Sequence, residues 1–123
     1  MESKIDQIND PQIRAFAQDC LEMKTITELR ALHLPGEADR NDLREWNITT
    51  EGWYEAIDAA LFDSIQETES MFQNTLKVDE DIALGSWCAS CKTSWGLETS
   101  WGSNREEALK KLHDNIMGLN KER

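Results

Sequence analysis

The spacing of apolar residues changes once along this chain, and the change sets its fold class. Up to about residue 76, apolar side chains recur every three or four residues. Trp53, Ile57, Leu61 and Ile65 form the longest row, with Ala60 and Phe72 beside it. That spacing presents one face of a helix to a core. In SWCASCKTSW, residues 86–95, the spacing drops to two. Trp87, Ala89, Cys91, Thr93 and Trp95 alternate with Cys88, Ser90, Lys92 and Ser94. Alternation at period two belongs to a strand with one buried face. A chain that reads as helix for two-thirds of its length and as strand thereafter falls in the α+β class.

Local signals place the elements. Asp10-Pro11 is a helix start, a capping acid followed by proline at the first helical position. Ile13, Phe16, Ala17 and Cys20 follow at helical spacing. Thr25 and Glu28 make a capping box before Ile26, Leu29 and Leu32. Pro35-Gly36 marks a turn, and a short helix is predicted over Arg40–Trp46. The long helix is predicted to start after Thr49 or Thr50 and to end between Thr68 and Leu76. Gly96-Leu97 reads as a tight turn into a second strand, Glu98–Trp101. Ser103 and Glu106 read as another capping box, opening a helix with Ala108, Leu109, Leu112, Ile116 and Leu119. Two short strands make a marginal sheet, so either the helices cover them or a third strand exists, for which LKVDEDIAL, residues 76–84, is the first candidate. The 123 residues suit a single small acidic α+β domain: a helical N-terminal two-thirds, then a β-hairpin of two or three strands and a C-terminal helix.

Charge narrows the partners. The chain holds 24 acids against 13 lysines and arginines, a net charge of −11. Residues 41–85 carry 11 of those acids and two bases. Such a field repels nucleic acid and anionic membranes and attracts basic proteins. In the long helix Glu51, Glu55, Asp58, Asp63, Glu67 and Glu69 occur with no base among them. Acids in its first turns favour the helix dipole, whereas those in its middle gain nothing from it. Glu51, Glu55 and Asp58 share a face, with Tyr54 and Phe62 flanking Asp58. These five residues are the expected partner-binding surface. Trp87, Trp95 and Trp101 are expected to pack the sheet against helices in two cases out of the three. The alternative is an exposed aromatic platform for a protein partner. No apolar run reaches the about 20 residues of a bilayer span, and MESKIDQINDPQ lacks the apolar stretch of a secretory signal. With an odd count of three cysteines, a cytoplasmic setting is the expectation.

The segment Trp87-Cys88-Ala89-Ser90-Cys91-Lys92 resembles the active-site motif of the thioredoxin family. The resemblance implies a nucleophilic thiolate at Cys88, activated by a helix N-terminus, and a resolving thiol at Cys91. The family also implies a strand-helix-strand before the motif and a cis-proline after it. Here the preceding pattern is helical, and Pro11 and Pro35 both lie upstream. On a strand, Cys88 and Cys91 point to opposite faces. Zinc would require Cys20, His33 or His113 to join the pair, and nothing in the spacing brings them there. No phosphate-binding glycine loop occurs, and no cofactor is expected. Gly102-Ser-Asn-Arg-Glu-Glu-Ala-Leu109 resembles the strand-to-helix corner of HicB-type antitoxin domains, over about eight residues that follow general capping logic. No function is carried across from it. The functional expectation is a non-enzymatic acidic interaction module, of bacterial or phage type. It would bind a basic surface on a nucleic-acid-handling protein, as inhibitors, nuclease immunity proteins and antagonists of host defence do. Thiol-disulfide exchange at Cys88 and Cys91 is the alternative.

Overall fold

The computed structural model describes residues 3–119. A 3₁₀ turn at Ile5–Gln7 precedes α1 (Pro11–Met23), α2 (Ile26–Leu32), α3 (Arg40–Trp46) and α4 (Thr50–Thr75). Then come β1 (Lys77–Asp81), β2 (Ser86–Thr93), β3 (Gly96–Gly102) and α5 (Arg105–Ile116). The class is α+β, with a three-stranded antiparallel sheet in the order β1-β2-β3. The third strand, β1, lies within residues 76–84, the candidate segment. The chain divides into two compact units, Met1–Ile65 and Gln66–Arg123, and the division falls inside α4.

In the first unit the helix starts are set by side-chain caps. The Asp10 carboxylate accepts from the amides of Gln12 and Ile13 at 2.9 and 3.4 Å. Pro11 takes the first helical position, where a missing N–H costs nothing. Thr25 and Glu28 form the predicted reciprocal box, at 3.2 and 2.9 Å. α3 ends at Asn47, whose φ of 54° is left-handed, a conformation asparagine tolerates. The core gathers Ile5 and Ile8, then Phe16, Ala17 and Cys20 of α1, Leu29 of α2, and Trp53, Ala56, Ile57 and Ala60 of α4.

The predicted α4 row is buried only in part. Trp53 and Ile57 are fully buried, but Leu61 and Ile65 are half-buried. Residues four apart on a helix of 3.6 residues per turn drift by about 40° per step. The later members of a strict i, i+4 row therefore rotate off the buried stripe. Ala56, Ala60 and Ser64 take the buried positions instead.

In the second unit β2 is central, and one face of the sheet lies against α5. Ala89, Cys91 and Thr93 of β2 are buried there with Ser100 and Gly102 of β3. Ala108, Leu112 and Ile116 form the buried stripe of α5. The β2–β3 turn falls at Ser94-Trp95, two residues before the predicted Gly96-Leu97, because Gly96 already pairs with Thr93. Gly96 has a φ of 123°, open to glycine alone, and the Thr93 hydroxyl donates to its carbonyl at 2.6 Å. The predicted box at Ser103 and Glu106 is shifted by one residue. Asn104 is the N-cap and accepts from the Glu107 amide at 2.8 Å, while Glu107 accepts from the Ser103 amide at 2.6 Å. Asparagine caps as well as serine, and an acid stands three residues after each. The bond from Ser103, with Lys111 nearby, holds the Glu107 carboxyl below its ordinary value. Among the described residues no helix is long and apolar enough to cross a membrane.

Candidate interaction surfaces

The acidic face of α4 is already partly engaged within its own unit. Glu51 and Glu55 are exposed, and neither carries an ion pair among the described residues. Asp58 is different: Lys4 Nζ lies 3.4 Å from one carboxylate oxygen and His33 Nε2 3.2 Å from the other. The Tyr54 hydroxyl donates to the Leu34 carbonyl at 3.3 Å and accepts from the Glu37 amide at 3.0 Å. It thereby ties down the Pro35-Gly36 turn. Phe62 lies beneath the Lys4 ammonium, 4.7 Å from the ring centre.

Two more acids of α4 have structural partners that account for their positions. Asp63 accepts from the amides of Lys4 and Ile5 at 2.8 and 3.1 Å and from the Ser3 hydroxyl, so it caps the 3₁₀ turn. In the second unit Glu69 meets His113 Nε2 at 2.7 Å, and Phe72 stands edge-on to that ring. Asp58, Asp63 and Glu69, which the dipole cannot explain, thus fasten other segments, while Glu67 is exposed.

The three cysteines are free thiols in unlike surroundings. Cys20 lies in the core of the first unit, and burial is the main cause that pushes its thiol up to about 12. Cys91 is buried under α5, where burial, then the Glu98 carboxylate, raises its thiol. Cys88 is half-buried on the other face of β2. The pair sits inside a strand, so neither thiol has the helix N-terminus that the thioredoxin resemblance implies. Among the described residues no group of three or more potential ligands gathers around a metal position. The thiolate is the reactive form, so a disulfide reagent at pH 8 should modify Cys88 first. Cys91 should follow slowly, and Cys20 should react only after denaturant is added. Mass mapping of the labelled peptides reads the order. Cys20 labelled as fast as Cys88 would contradict the packing described.

The sheet face opposite α5 is uncovered. Register puts Asp79 of β1 opposite Cys88 of β2, and Cys88 opposite Trp101 of β3. These three side chains form one row across the sheet, about 4.8 Å from strand to strand. Together with Glu80, Asp81 and Ile82 they line an open groove of about 420 Å³. Trp101 is 48% exposed and Ile82 85%. Trp95, at the β2–β3 turn, is 40% exposed and donates to Glu98 at 2.9 Å. Only Trp87, opposite Gly102, lies on the covered face. Two of the three hairpin tryptophans are therefore surface residues, against the expectation that two would be packed. Large apolar side chains left at a surface and rimmed by charge mark contact sites.

No family model matches this chain, and no curated protein or solved structure does. The surfaces stand on their own chemistry. Of the five residues predicted from the helix, Glu51 and Glu55 have no ion pair among the described residues; Tyr54, Asp58 and Phe62 serve their own unit. The sheet groove went unpredicted. Its signal was present in the alternating Asp79 and Asp81 and in Trp101, but only the register brings them together.

Proposed function

We propose that the chain is a non-enzymatic acidic interaction module. It occupies a basic surface on a nucleic-acid-handling protein, as an inhibitor or an immunity or anti-defence protein does. The observation that carries this reading is the sheet groove, where an exposed tryptophan stands in a pocket rimmed by three consecutive acids. Such a surface offers an aromatic anchor to a partner and like charge to a phosphate backbone. The 11 acids of residues 41–85 supply a field that speeds encounter with a cationic protein. On α4, Glu51 and Glu55 contribute to that field. Tyr54, Asp58 and Phe62, held by intramolecular contacts, contribute less to any partner.

The test separates charge from anchor. A partner is first recovered from the native host by affinity purification at low and high salt, then purified. Glu51→Lys with Glu55→Lys should slow association and flatten its salt dependence, leaving dissociation nearly unchanged. Trp101→Ala should act on dissociation instead, at a cost of about 2 kcal/mol or more if it is the anchor. Circular dichroism checks that each variant is folded. If association is insensitive both to salt and to the double charge reversal, the electrostatic reading is wrong.

A further inference from the structure

We propose that β1 is a docking edge, and that an extended basic segment of a partner protein adds there as a fourth strand. This rests on the interaction-module reading and names its mode of contact. β1 pairs with β2 on one side and with no strand on the other among the described residues. An unpaired strand edge offers a row of backbone donors and acceptors to an incoming chain. Proteins usually block such edges with a bulge, a proline, a cover or lysines. β1 has none of the first two: its five pairs with β2 run in unbroken register, and its sequence is Lys-Val-Asp-Glu-Asp.

Apart from Lys77 at its start, the charge on this edge is acidic. Asp79, Glu80 and Asp81 are consecutive, so both faces of the strand carry acid at its end. A second copy of β1 laid antiparallel and centred on Glu80 would set all three acids against acids, which is destabilising; centred on Asp79 it would set that acid against itself with Lys77 opposite Asp81. A strand with consecutive lysines or arginines meets the opposite situation. A fourth strand lies about 4.8 Å beyond β1. Its side chains then stand about 4.5–5.5 Å from those directly across, within reach of an ion pair. A long basic side chain opposite Asp79 has Cys88 and the Trp101 indole ahead of it along the same row. One short strand thus selects for charge by Asp79 and Glu80 and for extended backbone by its edge.

The probe is a short synthetic peptide of three consecutive arginines flanked by alternating threonine and valine, titrated into the full chain at low salt. Three companions are a glutamate version, a version N-methylated at every backbone amide of the arginine segment with its charge unchanged, and the parent peptide against Asp79→Lys with Glu80→Lys. Asp81 is left intact because it caps the turn at Leu84. The parent peptide should shift the amide resonances of residues 77–81 and slow their hydrogen exchange. N-methylation should weaken binding about tenfold or more. The double charge reversal should abolish it with circular dichroism unchanged. Equal binding of the N-methylated peptide would overturn strand addition while leaving charge-driven association standing. Equal binding of the glutamate peptide would overturn charge selection by the edge. A purified partner insensitive to Asp79→Lys with Glu80→Lys, yet slowed by Glu51→Lys with Glu55→Lys, would overturn the docking edge and keep the interaction module.

Discussion

Trp53→Ala is expected to lower the unfolding free energy by about 3–5 kcal/mol, the range for deleting a buried aromatic side chain. Trp53 is fully buried in α4, and its indole N–H donates to Asp42 at 3.2 Å. Its ring centre lies 6.4 Å from that of Phe16 and stands edge-on to Tyr54 at 5.0 Å. The substitution removes apolar area, opens a cavity and strips Asp42 of its donor at once. A typical domain has only about 5–15 kcal/mol to lose, so the variant should sit near the limit of folding. Trp53→Phe keeps part of the ring but not the N–H, and should fall between the two. Urea unfolding followed by far-ultraviolet circular dichroism reads both. A midpoint unchanged by Trp53→Ala would mean that the ring does not hold the first unit together.

What the sequence revealed and what it hid divide by the distance between partners. The caps at Asp10 and Thr25 were legible because each bonds an amide within three residues. The alternation of β2 was legible because each residue declares its face by its neighbours. The cap before α5 was ambiguous: Ser103 and Asn104 each precede an acid by three residues. The end of β3 at Gly102 decides for Asn104. The structural roles of Asp63 and Glu69 in α4 were not legible because their partners lie far off in the chain. Asp63 bonds residues 58 to 60 positions away, and Glu69 bonds one 44 away. No local pattern distinguishes such an acid from one that faces solvent. The groove depended on register, hence on the turn. A turn at Gly96-Leu97 would have set Trp101 opposite Lys92. The turn at Ser94-Trp95 sets it opposite Cys88, in the same row as Asp79. A two-residue shift of the turn moves each cross-strand partner by four residues, which keeps every side chain on its face but changes its neighbours, and the site is made of neighbours.

Two glycines should respond to alanine in opposite degree, and the atoms around them say why. A Cβ on Gly102 would meet the Ala108 backbone nitrogen at 2.5 Å and Glu107 at 2.9 and 3.0 Å. Gly102 is not in the left-handed region, so the objection to a side chain is steric alone. The atoms it would strike include the backbone of the first turn of α5, which cannot rotate aside. β3 and α5 must separate where Ala108 is buried, and the Asn104–Glu107 caps are strained with them. Overpacking typically costs about 1–3 kcal/mol, and rigid obstacles put Gly102→Ala at or near the upper end. A Cβ on Gly52 would approach the Ile13 Cδ1 atom at 2.7 Å, nominally almost as close. That atom is the far end of a flexible, half-buried side chain. Alanine within a helix also gains up to about 1 kcal/mol over glycine, which offsets the adjustment. Gly52→Ala should therefore unfold within about 1 kcal/mol of the parent. Gly102→Ala should unfold much earlier and lose exchange protection at the Ala108 amide, which bonds the Asn104 carbonyl at 3.1 Å. If Gly52→Ala proves the more damaging, or if Gly102→Ala keeps the parent's midpoint, the close packing of β3 on the start of α5 is not what fixes this corner.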